Sequence, residues 1–130
     1  MHDSQIIAKL EDYFAQGAPG LVAVYVFGSV ARRESGAASD VDIGVLFAET
    51  PPATLSGPLL ELEADLERVL GRRVQVIALN SVPVDLIHRV LRDGEIVFES
   101  NRSVRIRFEV AARNEYFDLL PILRRYRKIA

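Results

Sequence analysis

The sequence contains no cysteine and no tryptophan, and it has only two histidines, His2 and His88. A chain without cysteine forms no disulfide, uses no thiolate nucleophile and holds no cysteine-ligated zinc. Two isolated histidines do not make a histidine-rich metal site. Any metal ion must therefore be held by carboxylates, and the absence of cysteine favours the reducing cytoplasm as the location of this protein.

Long apolar segments are missing as well. No run approaches the ~20 apolar residues that a membrane-spanning helix requires, and the first five residues lack the basic and apolar regions of a signal peptide. We therefore predict a protein without a membrane partner. The chain has 130 residues, of which 49% are hydrophobic and 26% charged, and this favours one globular domain over residues 1–130.

The net charge of −2 conceals an uneven distribution of charge along the chain. Eight of the 16 Lys and Arg residues, but only three of the 18 Asp and Glu residues, lie in residues 101–130. Residues 1–100 are thus an acidic core, and residues 101–130 are a basic C-terminal extension. Such an extension can contact an acidic partner, RNA or the acidic core itself.

The spacing of apolar residues predicts alternating helices and strands. A helical stripe over residues 6–14 is followed by the apolar run 21–27, which is predicted as a buried strand. Further strands are predicted at 40–48, 73–79 and 95–99. Helices are predicted at 30–34, 59–70 and 84–91, and the last of these is capped at Gly94. A final helix starts near residue 101 or 103 and is kinked or divided at Pro121. This order predicts an α/β fold with a small mixed sheet flanked by helices and a C-terminal amphipathic helix.

One segment carries residues suited to binding a metal-bound polyphosphate. Gly28 and Ser29 follow the first predicted strand, where a glycine turn allows close approach of the backbone to phosphate oxygens. Asp40 and Asp42 follow after ten intervening residues, and their spacing of two places both carboxylates on one face of a strand. Such oxygen ligands favour Mg²⁺. The coupled motif is expected by chance only about 0.002 times in this composition.

The spacing of Gly28-Ser29 and Asp40-Val41-Asp42 resembles that of the minimal nucleotidyltransferases of the DNA polymerase β superfamily. Further segments are similar to the MNT-domain antitoxins that are paired with HEPN-domain toxins, namely residues 59–67, 71–74, 79–80, 88–94 and 109–119. The resemblance implies a nucleotidyltransferase fold and a reaction in which AMP is transferred from ATP to a tyrosine of a HEPN-type RNase toxin. It implies that Gly28 and Ser29 hold ATP, and that Asp40 and Asp42 bind Mg²⁺ and are catalytic.

Gln75 departs from the pattern of that family, which usually has an aspartate at this position. Glutamine offers a neutral oxygen and cannot serve as a general base for a tyrosine hydroxyl. Asp85, Asp93 and Glu95 are candidate replacements, but their places at a predicted helix start and in a turn favour capping and turn roles. A smaller departure is Arg33, because the family often has glycine there.

Three functions are therefore compared. The first is an adenylyltransferase antitoxin in a hetero-oligomer with its HEPN toxin, without direct binding of nucleic acid. The second is a catalytically weak or inactive homologue that neutralises the toxin by binding alone, which Gln75 and the basic tail favour. The third is a small-molecule nucleotidyltransferase, for which 130 residues leave little room for a substrate-recognition domain. The apolar stripe of the tail fits either packing on its own domain or docking to a partner.

Overall fold

The computed structural model describes residues 2–49 and 56–129. Its strands are β1 (Leu21–Phe27), β2 (Val41–Phe47), β3 (Val74–Ala78) and β4 (Glu95–Glu99). Its helices are α1 (Asp3–Ala15), α2 (Gly28–Ala31), α3 (Ser56–Leu70), α4 (Val84–Asp93) and α5 (Arg102–Ile129). The predicted α/β architecture, with its alternation of helices and strands, is confirmed.

The strands form one mixed sheet in the order β3-β2-β1-β4. β1 pairs antiparallel with both β2 and β4, whereas β2 and β3 are parallel. The parallel pair requires a crossover connection, and α3 provides it. Because antiparallel neighbours run in opposite directions, the end of β1 lies at the same edge of the sheet as the start of β2.

Helices cover both faces of the sheet. On one face, α1 and α3 bury Ile6, Leu10, Phe14, Leu66 and Leu70 against alternate residues of the strands. The opposite face packs against α4 and the first half of α5 through a smaller cluster, which includes Tyr25, Leu46, Leu79, Val90 and Phe108. With both faces covered, β1 is apolar along its whole length, as expected for a central strand.

Two local predictions need correction. The short helix predicted at 30–34 begins two residues earlier, at Gly28, and ends at Ala31. Helix α5 continues through Pro121, which does not divide it. The proline removes one donor to the carbonyl of Phe117, and that residue is 62% exposed, so water can take the place of the lost donor.

Gly94 ends α4, as predicted, but glycine is needed there because a side chain would not fit. Its φ angle is −83°, outside the left-handed region that a helix-ending glycine usually adopts. A Cβ atom at this position would lie 2.4 Å from the carbonyl oxygen of Val90 and 3.1 Å from that of Val26. Glycine therefore permits α4 to end directly against β1.

A buried polar cluster attaches α5 to the sheet. The hydroxyl of Tyr25 donates to Oε1 of Glu109 over 3.1 Å, and Nη1 of Arg105 donates to Oε2 of the same carboxylate over 2.6 Å. Arg105 also donates through Nε to Glu99 of β4 over 2.5 Å. Burial and the Glu109 carboxylate raise the pKa of Tyr25 above its usual value, so this residue remains a hydrogen-bond donor at neutral pH.

The two halves of α5 differ in their surroundings. In the first half, Ala112 is buried and Tyr116 stacks on His88 of α4 with 3.7 Å between the ring centroids. This contact gives His88 a role in packing α4 against α5. In the second half, Ile122 and Tyr126 are 50% and 72% exposed. The second half of α5 thus exposes some of its apolar side chains, although Leu119 and Leu123 are half-buried. Among the described helices, none combines the length and apolar character needed to cross a bilayer.

The cluster around Glu109 makes a prediction for stability. Replacing Arg105 with Met should lower the free energy of unfolding by about 3 kcal/mol, because Glu99 and Glu109 would keep their charges without a cation between them. Arg107→Met is the matched control, because Arg107 lies on the exposed side of α5. Urea unfolding of both variants measures the difference, and equal stabilities would show that the cluster does not anchor the helix.

Candidate functional site

Three strands bring the predicted site residues to one edge of the sheet. The antiparallel pairing places Phe27, the last residue of β1, opposite Asp42, the second residue of β2. The parallel pairing places Gln75 of β3 beside Asp42 on its other side. Val41 and Ile43 point into the core beneath α1 and α3, so Asp42 projects from the opposite face, as does its neighbour Gln75.

Gly28 forms the turn between β1 and α2, in contact with Asp42. Its φ angle is +72°, in the left-handed region where only glycine is free of strain. A Cβ atom built on Gly28 would lie 2.3 Å from Oδ2 of Asp42, well inside the contact distance of the two atoms. The backbone conformation therefore favours glycine, and any larger side chain would also have to displace the Asp42 carboxylate, which lies directly against the turn. Ser29 follows within α2 and is half-buried.

The two aspartates of the motif differ in environment. Asp40 is exposed and lies just before β2, while Asp42 is half-buried within the strand. Burial, together with the neighbouring charge of Asp40, raises the pKa of Asp42, although the positive charge of Arg32 opposes the shift. Two carboxylates that repel each other in this way are stabilised when a cation lies between them.

Other carboxylates near this edge have different partners. Asp93 accepts two hydrogen bonds from Arg92, and these bonds are the main reason why the pKa of Asp93 is lowered. Glu95 forms an ion pair with Arg33 over 3.0 Å. In the part of the chain that the structure describes, no three Asp, Glu, His or Cys side chains are grouped closely enough to enclose a metal ion. Asp85, Asp93 and Glu95 therefore do not supply the third carboxylate that Gln75 lacks.

This donor set suits a hard divalent cation shared with a ligand. Asp40 and Asp42 supply carboxylate oxygens, and the amide oxygen of Gln75 occupies the adjacent strand position. Mg²⁺ is commonly held in proteins by one or two carboxylates and completed by phosphate oxygens and water. The residues present therefore fit a magnesium ion that arrives with a nucleotide.

The profile of a known family matches most of the chain. Residues 8–103 match the family described as "Polymerase beta, Nucleotidyltransferase", and the matched region includes the Gly28 turn and both aspartates. The chain belongs to the polymerase β nucleotidyltransferase family. The resemblance inferred from the Gly-Ser and Asp-x-Asp spacing is thus confirmed, and so is the nucleotidyltransferase fold.

This nucleotidyltransferase is similar in sequence to a protein adenylyltransferase and in structure to a chain of a toxin–antitoxin complex. It is 39% identical over 74 residues to the protein adenylyltransferase MntA of Thermococcus cleftensis, an alignment that covers 57% of this chain and 72% of that protein. A chain of a crystal structure of a toxin–antitoxin with AMP-PNP is 24% identical and aligns with a TM-score of 0.79 over 94% of this chain and 95% of the other.

A second solved structure has the same fold. It is a complex of the tri-AMPylated HEPN toxin of Shewanella oneidensis with an MNT antitoxin. The matched chain is 22% identical, with a TM-score of 0.74, and the alignment covers 97% of this chain and 96% of the other. At this level of identity the structural likeness shows the shared fold, and it extends over α5 as well as the sheet.

The structure brings all four sequence-predicted residues of this nucleotidyltransferase to one edge of the sheet: Gly28 and Ser29 at the turn, Asp40 and Asp42 at the start of β2. Arg33 keeps the turn in the conformation that glycine usually provides, with φ at +60°. Its guanidinium donates to the carbonyl oxygen of Ala31 over 3.0 Å and pairs with Glu95, and both contacts offset the strain.

Two residues that contact the segment before Asp40 were not predicted from the sequence. Asp3 of α1 accepts hydrogen bonds from the backbone and the hydroxyl of Ser35, and Arg72 reaches the same loop from beyond α3. Arg72 stands in a Gly-Arg pair within a segment that resembles the family, which was a signal of its importance. Nothing in the sequence indicated that its side chain contacts residues more than 30 positions earlier.

The contact between Gly28 and Asp42 can be isolated by comparing two alanine variants. Gly71 also has a left-handed φ, +66°, but a Cβ atom there would meet nothing within 4 Å. Gly28→Ala and Gly71→Ala should therefore share the cost of the backbone conformation, whereas only the former displaces a carboxylate. We expect Gly28→Ala to lose about 1–3 kcal/mol more in free energy of unfolding, as measured by urea denaturation. Equal losses would contradict the close contact.

Proposed function

We propose that this chain is the antitoxin of a toxin–antitoxin pair, acts in the cytoplasm and neutralises a HEPN-type RNase toxin by transferring AMP from ATP to a tyrosine of that toxin. The observation that carries the proposal is the position of the Asp42 carboxylate against the Gly28 turn, with Asp40 close enough to raise its pKa. A phosphate-binding turn and a cation-binding acidic pair are thereby adjacent. The relatives named above support the proposal, since they include a protein adenylyltransferase and an MNT antitoxin bound to an AMPylated HEPN toxin.

In this reaction, the Gly28-Ser29 turn holds the triphosphate and the two aspartates hold Mg²⁺. The metal ion, when bound, neutralises phosphate charge and so lowers the energy of the transition state. The tyrosine oxygen forms a bond to the α-phosphorus, the bond between the α- and β-phosphates breaks, and pyrophosphate leaves. The chain's own contribution is to fix the position of the phosphates relative to the carboxylates, because Gly28 and Asp42 are held at one edge by the register of β1 and β2.

The proton of the tyrosine hydroxyl has no assigned acceptor. Gln75 occupies the strand position beside Asp42, where a carboxylate would be placed to accept it. General-base catalysis contributes typically ~10²–10⁴-fold, so an enzyme without that base is expected to be slow. This observation favours a second candidate function, in which the chain neutralises its toxin by binding alone. The half of α5 that carries exposed Ile122 and Tyr126 offers a surface for such binding.

Intact-mass spectrometry of the HEPN partner tests the transfer reaction. After incubation with this protein, ATP and Mg²⁺, the toxin should gain the mass of one or more adenylyl groups, and it should gain none when ATP is omitted. Asp42→Asn should slow the reaction by at least about 10²-fold, because several kcal/mol of charge stabilisation depend on the bound cation. Asp12→Asn, at an exposed position on α1, is the matched control and should react like the unaltered protein.

The alternative has a distinct outcome in the same experiment. If the toxin keeps its original mass while a stable complex with this protein suppresses its RNase activity, neutralisation occurs by binding and transfer is not required. Protection of cells by the Asp40→Asn, Asp42→Asn double variant would lead to the same conclusion.

Restoring a carboxylate beside Asp42 gives a further prediction. Gln75→Asp should accelerate AMP transfer by about 10²-fold, because the added carboxylate can accept the tyrosine proton and strengthens cation binding. Gln75→Asn is the matched control, since it has the same length as aspartate but no charge. Initial rates from toxin mass measured over time would decide the matter, and equal rates for the two variants would show that the missing carboxylate does not limit the reaction.

A further inference from the structure

The loop that leads into Asp40 is held by the side chain of Arg72. Nη2 of Arg72 donates to the carbonyl oxygen of Gly36 over 2.8 Å and to that of Ser39 over 2.7 Å. Nη1 lies 3.4 Å from the hydroxyl oxygen of Ser35. One guanidinium group therefore contacts both the beginning and the end of the segment 35–39.

The contact with Ser39 acts directly on Asp40. The carbonyl group of Ser39 belongs to the peptide unit that joins Ser39 to Asp40, and this unit is planar. On the other side, the backbone N–H of Val41 donates to the carbonyl oxygen of Arg73 over 2.8 Å. The backbone of Asp40 is thus held on both sides by consecutive residues that follow α3, and the direction of its Cα–Cβ bond is held with it.

Asp3 of α1 also holds this loop. Its carboxylate accepts hydrogen bonds from the backbone N–H and the hydroxyl of Ser35. The hydrogen bond from the hydroxyl of Ser35 is the main reason why the pKa of Asp3 is lowered, and the charge of Arg72 contributes to the same shift. The loop is thus tied to α1 at its start, while its end is bound by Arg72 and by two hydrogen bonds between Gly36 and Ser39.

Packing does not explain how the loop is held. A cavity of about 350 Å³ lies between the loop and the end of α3, and it is lined by Gly36, Ala37, Leu70 and Arg72 among others. Residues 36–38 are exposed. Because few side chains press on this segment, its conformation depends on hydrogen bonds, and the fork of an arginine is suited to bind two carbonyl groups together.

Arg73 provides a contrast at the neighbouring position. Its Nε lies 3.8 Å from Oδ1 of Asp40, and its side chain is 81% exposed, so this is a weak surface ion pair. Arg73 places a charge near the carboxylate, whereas Arg72 donates to neutral carbonyl groups of the backbone.

We propose that Arg72 is a positioning residue, which sets the Asp40 carboxylate beside Asp42 by holding the Ser39–Asp40 peptide. The proposal rests on the proposed function, in which both aspartates bind a divalent cation. Residues that orient metal ligands typically change metal affinity by about 10–100-fold when they are replaced. The effect expected of Arg72 is of this kind, and it differs from a general loss of stability.

The test measures the affinity of the full-length protein for Mn²⁺ in the presence of ATP, by electron paramagnetic resonance. Arg72→Met should weaken Mn²⁺ binding by about 10–100-fold, and Arg72→Lys by less, because an ammonium group cannot reproduce the fork. Arg73→Met is the matched control and should bind Mn²⁺ at least as tightly as the unaltered protein, since it removes a competing cation. In the transfer assay, a higher concentration of Mg²⁺ should restore the rate of Arg72→Met, which a purely structural defect would not allow.

The outcomes separate this proposal from the one on which it rests. If the unaltered protein and the Asp40→Asn, Asp42→Asn variant bind Mn²⁺ equally, the metal site itself is wrong. If the unaltered protein binds, the double variant does not, and Arg72→Met binds normally, only the positioning role is wrong. Should circular dichroism show Arg72→Met to be unfolded, Arg72→Lys decides, and affinity equal to that of the unaltered protein would overturn the proposal.

Discussion

The carboxylate of Asp42 lies in the space that any side chain at position 28 would need, and the candidate site depends on this contact. Its cause is the register of two strands, because Phe27 at the end of β1 pairs with Asp42 at the start of β2. A shift of one residue would turn Asp42 toward the apolar core beneath α1 and α3. The buried alternate residues of both strands therefore fix the site as well as the core.

At this edge of the sheet, two carboxylates repel each other, and nearby arginines hold the backbone around them. Asp40 and Asp42 repel each other, and burial adds to the cost of the charge on Asp42. Arg32 and Arg73 place positive charge near Asp42 and Asp40 respectively, whereas Arg72 binds backbone carbonyl groups. In the proposed cation site, the loop before Asp40 is thus held by groups other than the two carboxylates. The same edge carries Gln75, whose lack of charge bears on the rate of any reaction that takes place there.

Much of the fold could be predicted because its patterns are local. The bounds of β1 and β4 agree with the apolar runs 21–27 and 95–99, and α1 follows its helical stripe. The start of α2 was missed, because a Gly-Ser pair has little helical propensity and the turn is stabilised by its place beside Asp42. The glycine that the family often has at position 33 signalled the turn there, but nothing in the sequence indicated that Arg33 pairs with Glu95 of β4.

The sequence by itself determined the alternation of helices and strands, the membership of the polymerase β nucleotidyltransferase family and the residues of its motif. These features depend on residue spacing along the chain, which sequence patterns report directly. Only the tertiary structure decided that Gln75 is the neighbour of Asp42, that Arg72 holds the loop before Asp40 and that half of α5 packs on its own domain. The first two contacts join residues 33 positions apart, and all three depend on how the strands pair and the helices pack against them.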